Sequence, residues 1–280
     1  MKRKLDIDLI TVNCDKVDEG IKTLNYCSKN IEFNNIFLLT HKEVSGNFDL
    51  IKIPKNKDII DYNNQMVLLH KLVKSEYCLI VQHDGHILNH KNWSNQFFDY
   101  DYIGAPWPNS ETWKKRWIKY PENIKNNIYK NIDYNRVGNG GFSLRSKRYL
   151  DYCSTFEPDF LKHGVPEDIF LNLVNYEKAK DFGIKYPDVK TAIKFSYETP
   201  LKGQDLADEK KYHILNKQKH FGWHGNYFLN KKTLLKTKYR WLLMCLNINQ
   251  RLISNKFIKY FFIKYYQELI KSLHIFYVKS

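Results

Sequence analysis

Four short segments of the chain hold side chains whose types and spacing could do chemistry. In Ile80-Val81-Gln82-His83-Asp84-Gly85-His86-Ile87, polar groups directly follow a short apolar run. A strand end projects alternate residues to one side, so Asp84 and His86 can converge on one cation while Gly85 lets a phosphate or ribose approach the backbone. A carboxylate with an imidazole suits Mn²⁺ or another first-row divalent ion better than Ca²⁺. A strand-end turn carrying solvated polar residues accounts for the same letters.

In Val137-Gly138-Asn139-Gly140-Gly141-Phe142-Ser143-Leu144-Arg145, three glycines precede an alternating strand. Backbone at Gly140 and Gly141 can come close to a flat polar ligand such as a sugar ring. The segment is not a phosphate-cradling P-loop, because no Gly-Lys-Ser or Gly-Lys-Thr follows; a tight structural bend is the alternative. In Val165-Pro166-Glu167-Asp168, two adjacent acids open a helical pattern with Phe170, Leu173 and Val174 on its inner side. Such acids either compensate the helix dipole or hold a carboxylate ready to take a proton from a hydroxyl. In His220-Phe221-Gly222-Trp223-His224-Gly225, His224 could return to a metal, or be a surface histidine.

The elements that must position these groups are legible from periodicity. Ile7 to Val12, Ile36 to Thr40 and Tyr77 to Val81 read as buried strands, and Phe48 to Ile53 alternates before Pro54. Residues 16–30 place Val17, Ile21, Leu24 and Cys27 or Ser28 on one helical side, and Asp61 can cap a helix with Met66, Leu69, Leu72 and Val73 on one face. Strand alternating with helix predicts an α/β domain built on a mainly parallel sheet flanked by helices. Ligands bind such sheets beyond the carboxyl ends of the strands.

Composition narrows the class further. With 43% hydrophobic and 15% aromatic residues over 280 positions, the chain can bury a core and contains no low-complexity linker. Its formal net charge of +15 is concentrated in residues 231–280, which hold 11 Lys or Arg against the single acid Glu268. Zinc-finger spacing, RNP-like aromatics and a heptad-backed basic region are all missing, so nucleic acid is not the expected partner. Five scattered cysteines without a Cys-x-x-Cys pair favour buried thiols in a reducing compartment. The basic start is interrupted at Asp6-Ile7-Asp8 and no stretch approaches ~20 apolar residues, so a cytoplasmic protein is expected. Residues 1–230 are expected to form the domain and 231–280 a basic, aromatic helical extension. That extension is expected to dock on the domain, with peripheral contact to an anionic membrane as the alternative.

Taken together and in order, the segments resemble the GT-A glycosyltransferases, in detail small bacterial and viral proteins of that type. Their pattern includes a strand ending in Gln-x-Asp, then Tyr-Ile-Gly-Ala-Pro-Trp, Gly-Asn-Gly-Gly-Phe-Ser-Leu-Arg and Pro-Glu-Asp, matched here from Gln82, Tyr102, Gly138 and Pro166. The resemblance runs from about residue 7 to 225 and implies a Rossmann-like GT-A fold that transfers a sugar from a nucleotide-sugar donor to a glycan, protein or lipid hydroxyl, with inversion. It implies Asp84, His86 and His224 as ligands of Mn²⁺ or Mg²⁺, with Asp84 and Gly85 beside the donor. It implies Asp168, or Glu167 beside it, as the base. Thr11, Val12 and Asn13 would face the nucleotide, and Trp107, Gly140, Gly141 and Trp223 the sugar and acceptor. One position departs from the pattern: His86 stands where a second Asp is usual, removing a negative charge from the metal motif. A register on Gln82-His83-Asp84 keeps Asp84 in either alignment. Two rivals from other classes remain, a non-catalytic carbohydrate-binding protein of the same fold and a metal-dependent nucleotidyltransferase. The latter would need a Gly-rich loop after the first strand, where residues 11–20 offer only Gly20.

Overall fold

The computed structural model describes residues 2–156, 164–199, 201, 215 and 217–225. The chain divides into two compact units, Met1–Thr199 with Asn216–Leu229 and Pro200–Leu215 with Asn230–Ser280; the elements below all belong to the first. The helical extension expected over 231–280, and its membrane contact, lie outside the described residues. In chain order the elements are β1 (Arg3–Leu5), β2 (Asp8–Val12), α1 (Val17–Cys27), β3 (Ile31–Phe33), β4 (Ile36–Thr40), β5 (Asp49–Lys52), α2 (Ile59–Val67, extended by a 3₁₀ turn Leu68–Lys71), β6 (Tyr77–Val81) and β7 (Gly85–Ile87). They continue as β8 (Tyr102–Ile103), α3 (Glu111–Lys114), α4 (Glu122–Asn131), β9 (Phe142–Ser146), α5 (Lys147–Ser154), α6 (Glu167–Ile169, running into a π-helical turn Phe170–Val174), α7 (Tyr176–Asp181), α8 (Val189–Phe195), β10 (Ser196–Tyr197) and β11 (Gly222–His224).

Six strands form the central sheet in the order β5-β4-β2-β6-β9-β8. β5, β4, β2 and β6 run parallel, while β9 and β8 are antiparallel to their neighbours. The sheet is mixed α/β and mostly parallel, as the strand-helix alternation predicts. Its inner strands β4, β2 and β6 are mostly apolar because both faces are covered, whereas edge strand β5 begins and ends on exposed Asp49 and Lys52. Leu9, Leu79, Val81 and Leu144 pack with Leu24 and Cys27 of α1, whereas Ile10, Cys78 and Ile80 pack with Met66 beyond α2's centre and Leu150 of α5. Neighbouring residues thus point to opposite faces, the period-two rule at work.

The start of α2 differs from expectation. Asp58, not Asp61, is the cap: its Oδ1 accepts from the Ile60 and Asp61 N–H groups at 2.8 and 3.2 Å. Asp61 turns back and accepts from the Lys57 N–H at 2.7 Å.

Sheet order locates the site. The chain runs outward from β2 to β4 and β5, then returns on the other side of β2 as β6. That reversal opens a crevice at the carboxyl ends of β2 and β6. The loop from Asn13 to Lys16 and the segment Gln82–Asp84 meet there, with Lys16 Nζ 3.0 Å from His83 Nε2.

Candidate active site

Immediately after β6 the chain makes a tight turn, the Gly85 N–H donating to the Gln82 carbonyl at 2.9 Å. The Thr23 hydroxyl of α1 donates to the His83 carbonyl at 3.1 Å and pins that turn to the helix. Asp84 is left at its apex. Because the chain turns instead of continuing as a strand, Asp84 and His86 do not alternate along one edge.

A second, three-stranded sheet of order β10-β11-β7 brings distant segments to this turn. β11 pairs antiparallel with β7, matching His224 to Gly85 and Trp223 to His86. β10 pairs parallel with β11, matching Tyr197 to Trp223, so Glu198 follows alongside His224. The imidazole is surrounded by oxygens. Nε2 lies 3.3 Å from Asp84 Oδ1 and 3.2 Å from Gln82 Oε1, and Nδ1 lies 3.3 Å from Glu198 Oε1. Burial works against charge on this ring, but Asp84 and Glu198 outweigh it and raise His224 to about 10. Burial likewise opposes charge on Asp84, yet the His224 and His83 rings hold it down at about 2. His83 is shifted below its usual value by burial and by Lys16.

The glycine segment forms the wall beside this cluster. A Cβ on Gly141 would stand 2.1 Å from His224 Nε2, and one on Gly85 2.4 Å from the Gly141 carbonyl oxygen. Close approach therefore requires glycine at both positions. One residue earlier in the same segment, a Cβ on Gly140 would meet Glu167 Oε1 at 3.0 Å and Asp168 Cβ at 3.1 Å.

Those two acids have different environments. Glu167 is 3% exposed and its Oε1 accepts from Arg145 Nη2 at 2.8 Å. Arg145, on β9, is fully buried between the Tyr102 and Tyr149 rings, at 5.2 and 5.7 Å from their centroids. The Glu167 N–H donates to Asn63 Oδ1 of α2 at 2.9 Å. Glu167 is thus a fixed anchor tying α6 to the sheet. Asp168 is half-buried at the wall: Oδ2 accepts from the Gly140 N–H at 2.9 Å and Oδ1 from the Ile169 N–H at 2.8 Å. Burial first, and the Glu167 charge second, push its carboxyl up to about 7.

The structure therefore brings together Asp84, Gly85, Gly140, Gly141, Glu167, Asp168 and His224 around one wall of backbone. It does not bring His86 to them. In β7 and β11 side chains alternate, so His86 and Trp223 point away from the Gly85–His224 side; the His86 ring sits between those of Tyr26 and Trp223, at 5.3 and 5.5 Å. Among the described residues no group of three or more His, Cys, Asp or Glu side chains is arranged to hold a metal ion. The two tryptophans expected against sugar are core instead. Trp107 is 3% exposed, with Gly138 beneath it and Trp113 at 5.8 Å, and Trp223 is equally buried. Thr11 and Val12 lie inside β2, and Asn13 accepts from the Lys16 N–H at 2.9 Å at the entry to α1.

Three participants were given no role by the sequence: Gln82 and Arg145 lie within quoted motifs, and Glu198 lies in none. Gln82 is part of the Gln-x-Asp pattern, but its hydrogen bonds to His224 and to the Tyr62 hydroxyl depend on residues far along the chain. Arg145 is findable only as an arginine in an otherwise buried strand. Glu198 follows an isolated two-residue strand and has no spacing to mark it.

A family model described as a protein of unknown function, DUF5672, matches residues 50–224. No curated protein sequence matches the chain. Among solved structures, an active-site mutant of LgtC is similar at 13% identity and a TM-score of 0.46, over 78% of this chain and 86% of that one. The WbbM bifunctional glycosyltransferase is similar at 11% identity and a TM-score of 0.45, over 78% of this chain and 45% of that one. The galactosyltransferase LgtC with donor and acceptor sugar analogs is similar at 10% identity and a TM-score of 0.44, over 87% and 97%. At these scores the likeness extends to no particular residue of the site. The family match, by contrast, spans Asp84, both wall glycines, Glu167, Asp168 and His224, and the chain belongs to the DUF5672 family of proteins of unknown function.

Proposed function

We propose that this protein is a glycosyltransferase that uses a nucleotide-sugar donor and a divalent cation, and that Asp168 is its general base. The observation that carries the reading is the convergence of Asp84, Gly140-Gly141, Asp168 and His224 on one wall at the switch point of the sheet, in the order the motifs require. The donor set suits a cation. Asp84 Oδ1 is shielded from solvent, and its one close partner is the His224 ring nitrogen 3.3 Å away. A carboxylate and a neutral imidazole would be fitting ligands for Mn²⁺, or less well for Mg²⁺; the His224 ring, protonated in the metal-free protein, would have to release its Nε2 proton as the ion binds. A bound ion would neutralise the diphosphate as it leaves.

The remaining steps belong to the chain's own side chains. Asp168, fixed by two backbone N–H groups, would take the proton of the acceptor hydroxyl as that oxygen bonds to the anomeric carbon. The bond from that carbon to the diphosphate breaks on the opposite side, giving inversion. A carboxyl held near 7 is well matched to this role, since a base works best with a pKa near the operating pH. Glu167, committed to Arg145, anchors it and does not compete.

Thermal shift tests the reading directly. Mn²⁺ and a nucleoside diphosphate added together should raise the melting temperature more than the sum of either alone, and chelation should remove the excess. Equal stabilisation by the nucleotide with and without the cation would sink the metal assignment.

A further inference from the structure

We infer that Glu198 is a positioning residue which holds the His224 ring with Nε2 directed at Asp84. This rests on the reading of Asp84 and His224 as the cation-facing pair. The argument begins with register. β10 and β11 are parallel partners, Ser196 with Gly222 and Tyr197 with Trp223, and the residue just after β10, Glu198, comes beside His224. β7 lies on the other side of β11 and presents Gly85 against His224, with Asp84 one residue before it. Glu198, His224 and Gly85 thus come level across the three segments, and the turn just before Gly85 brings Asp84 to the other edge of the imidazole.

The contacts follow that order. Glu198 Oε1 is 3.3 Å from Nδ1, and Asp84 Oδ1 is 3.3 Å from Nε2 on the ring's opposite edge. Gln82 supplies the third oxygen at 3.2 Å from Nε2, with its own amide nitrogen donating to Tyr62. The glycine wall closes one face of the ring, since a side chain on Gly141 would overlap it. Rotating the ring about its bond to Cβ would carry Nδ1 away from Glu198 and Nε2 away from Asp84 together. Glu198, 24% exposed on its side chain and acting from the edge remote from Asp84, is in place to prevent that rotation without touching the cation or the substrate. Carboxylates that orient a ligating histidine through its other nitrogen have this arrangement, and losing one typically lowers metal affinity about 10–100-fold.

Glu198→Leu and Glu198→Gln in the full chain test the inference, with melting temperatures confirming that both fold. In the metal-free proteins, nuclear Overhauser contacts between the His224 ring protons and Gly141 Hα report ring orientation. They should be present in the parent and in Glu198→Gln, which keeps an acceptor oxygen, and lost in Glu198→Leu. Titration with Mn²⁺ alone, followed by electron paramagnetic resonance, should show Glu198→Leu weakened about 10–100-fold with Glu198→Gln recovering most of the loss. Persistence of the ring contacts in Glu198→Leu, or equal Mn²⁺ affinity in all three proteins, overturns the role. A parent protein that keeps the ring contacts, loses them in Glu198→Leu, and yet binds no Mn²⁺ upholds the positioning of His224 and counts against the metal reading instead.

Discussion

Asp168 accepts two backbone N–H groups and still has its carboxyl pushed up to about 7, because burial and the neighbouring Glu167 outweigh those bonds. Two consequences follow from the sign. In the proposed role of base it would work only when deprotonated, so kcat/KM for the proposed sugar transfer should rise with pH through a limb near 7. For stability the direction is opposite: the folded protein binds this proton more tightly than the unfolded chain, so deprotonation costs stability as pH rises from the usual carboxylate range through about 7. The melting temperature of the parent relative to Asp168→Asn should therefore fall between pH 5 and pH 8. A difference that is flat with pH would show that the carboxyl titrates normally. Glu167 behaves differently. Glu167→Gln leaves the fully buried Arg145 guanidinium without its carboxylate, and losing one partner of a buried pair costs about 3–5 kcal/mol. Urea unfolding should show that loss at neutral pH, and a change below about 1 kcal/mol would contradict the anchoring role.

At the scale of elements, β2, β4, β5, β6, β9 and the first two helices were legible from their apolar patterns, whereas strands of two or three residues such as β1, β3, β8 and β10 are too short to show one. β4 and β6 fall at the expected residues, and α1 occupies Val17–Cys27 with Val17, Leu24 and Cys27 buried. The cap of α2 was not, since Asp58 and Asp61 both suit a helix start and only the backbone geometry separates them. Asp58→Ala should destabilise the protein by about 1 kcal/mol, while Asp61→Ala, which loses only a loop contact, should cost less. Equal losses in chemical denaturation would return the cap to Asp61. The same limit explains His86. A strand ending in polar residues suggests alternation toward one ion, but the turn closed by Gln82 and Gly85 reverses the chain, and His86 joins the aromatic side of β7 between Tyr26 and Trp223. The tryptophans expected at a sugar face are both 3% exposed, as large apolar rings commonly are in a packed core.

At the scale of the whole molecule, the site is assembled from segments far apart in sequence; the contact of Gln82 with His224 alone spans 142 residues. Short-range patterns exposed the segments of Asp84, Gly140, Asp168 and His224 but not that of Glu198, and only the pairing of β10, β11 and β7 reveals that Glu198 and Gln82 belong with His224. The described cysteines Cys14, Cys27, Cys78 and Cys153 are all free and buried, consistent with packing and not with a disulfide frame. Among the described residues no helix is long and apolar enough to cross a membrane. The central claim is that this assembly transfers sugar, and the most direct measurement is release of nucleoside diphosphate from a panel of nucleotide sugars with Mn²⁺, compared between the parent and Asp168→Asn. The account predicts cation-dependent release with at least one donor, an Asp168→Asn rate lower by about 10²–10⁴-fold, and donor affinity nearly unchanged. No release from any donor in the panel, or an Asp168→Asn rate equal to that of the parent, would contradict it.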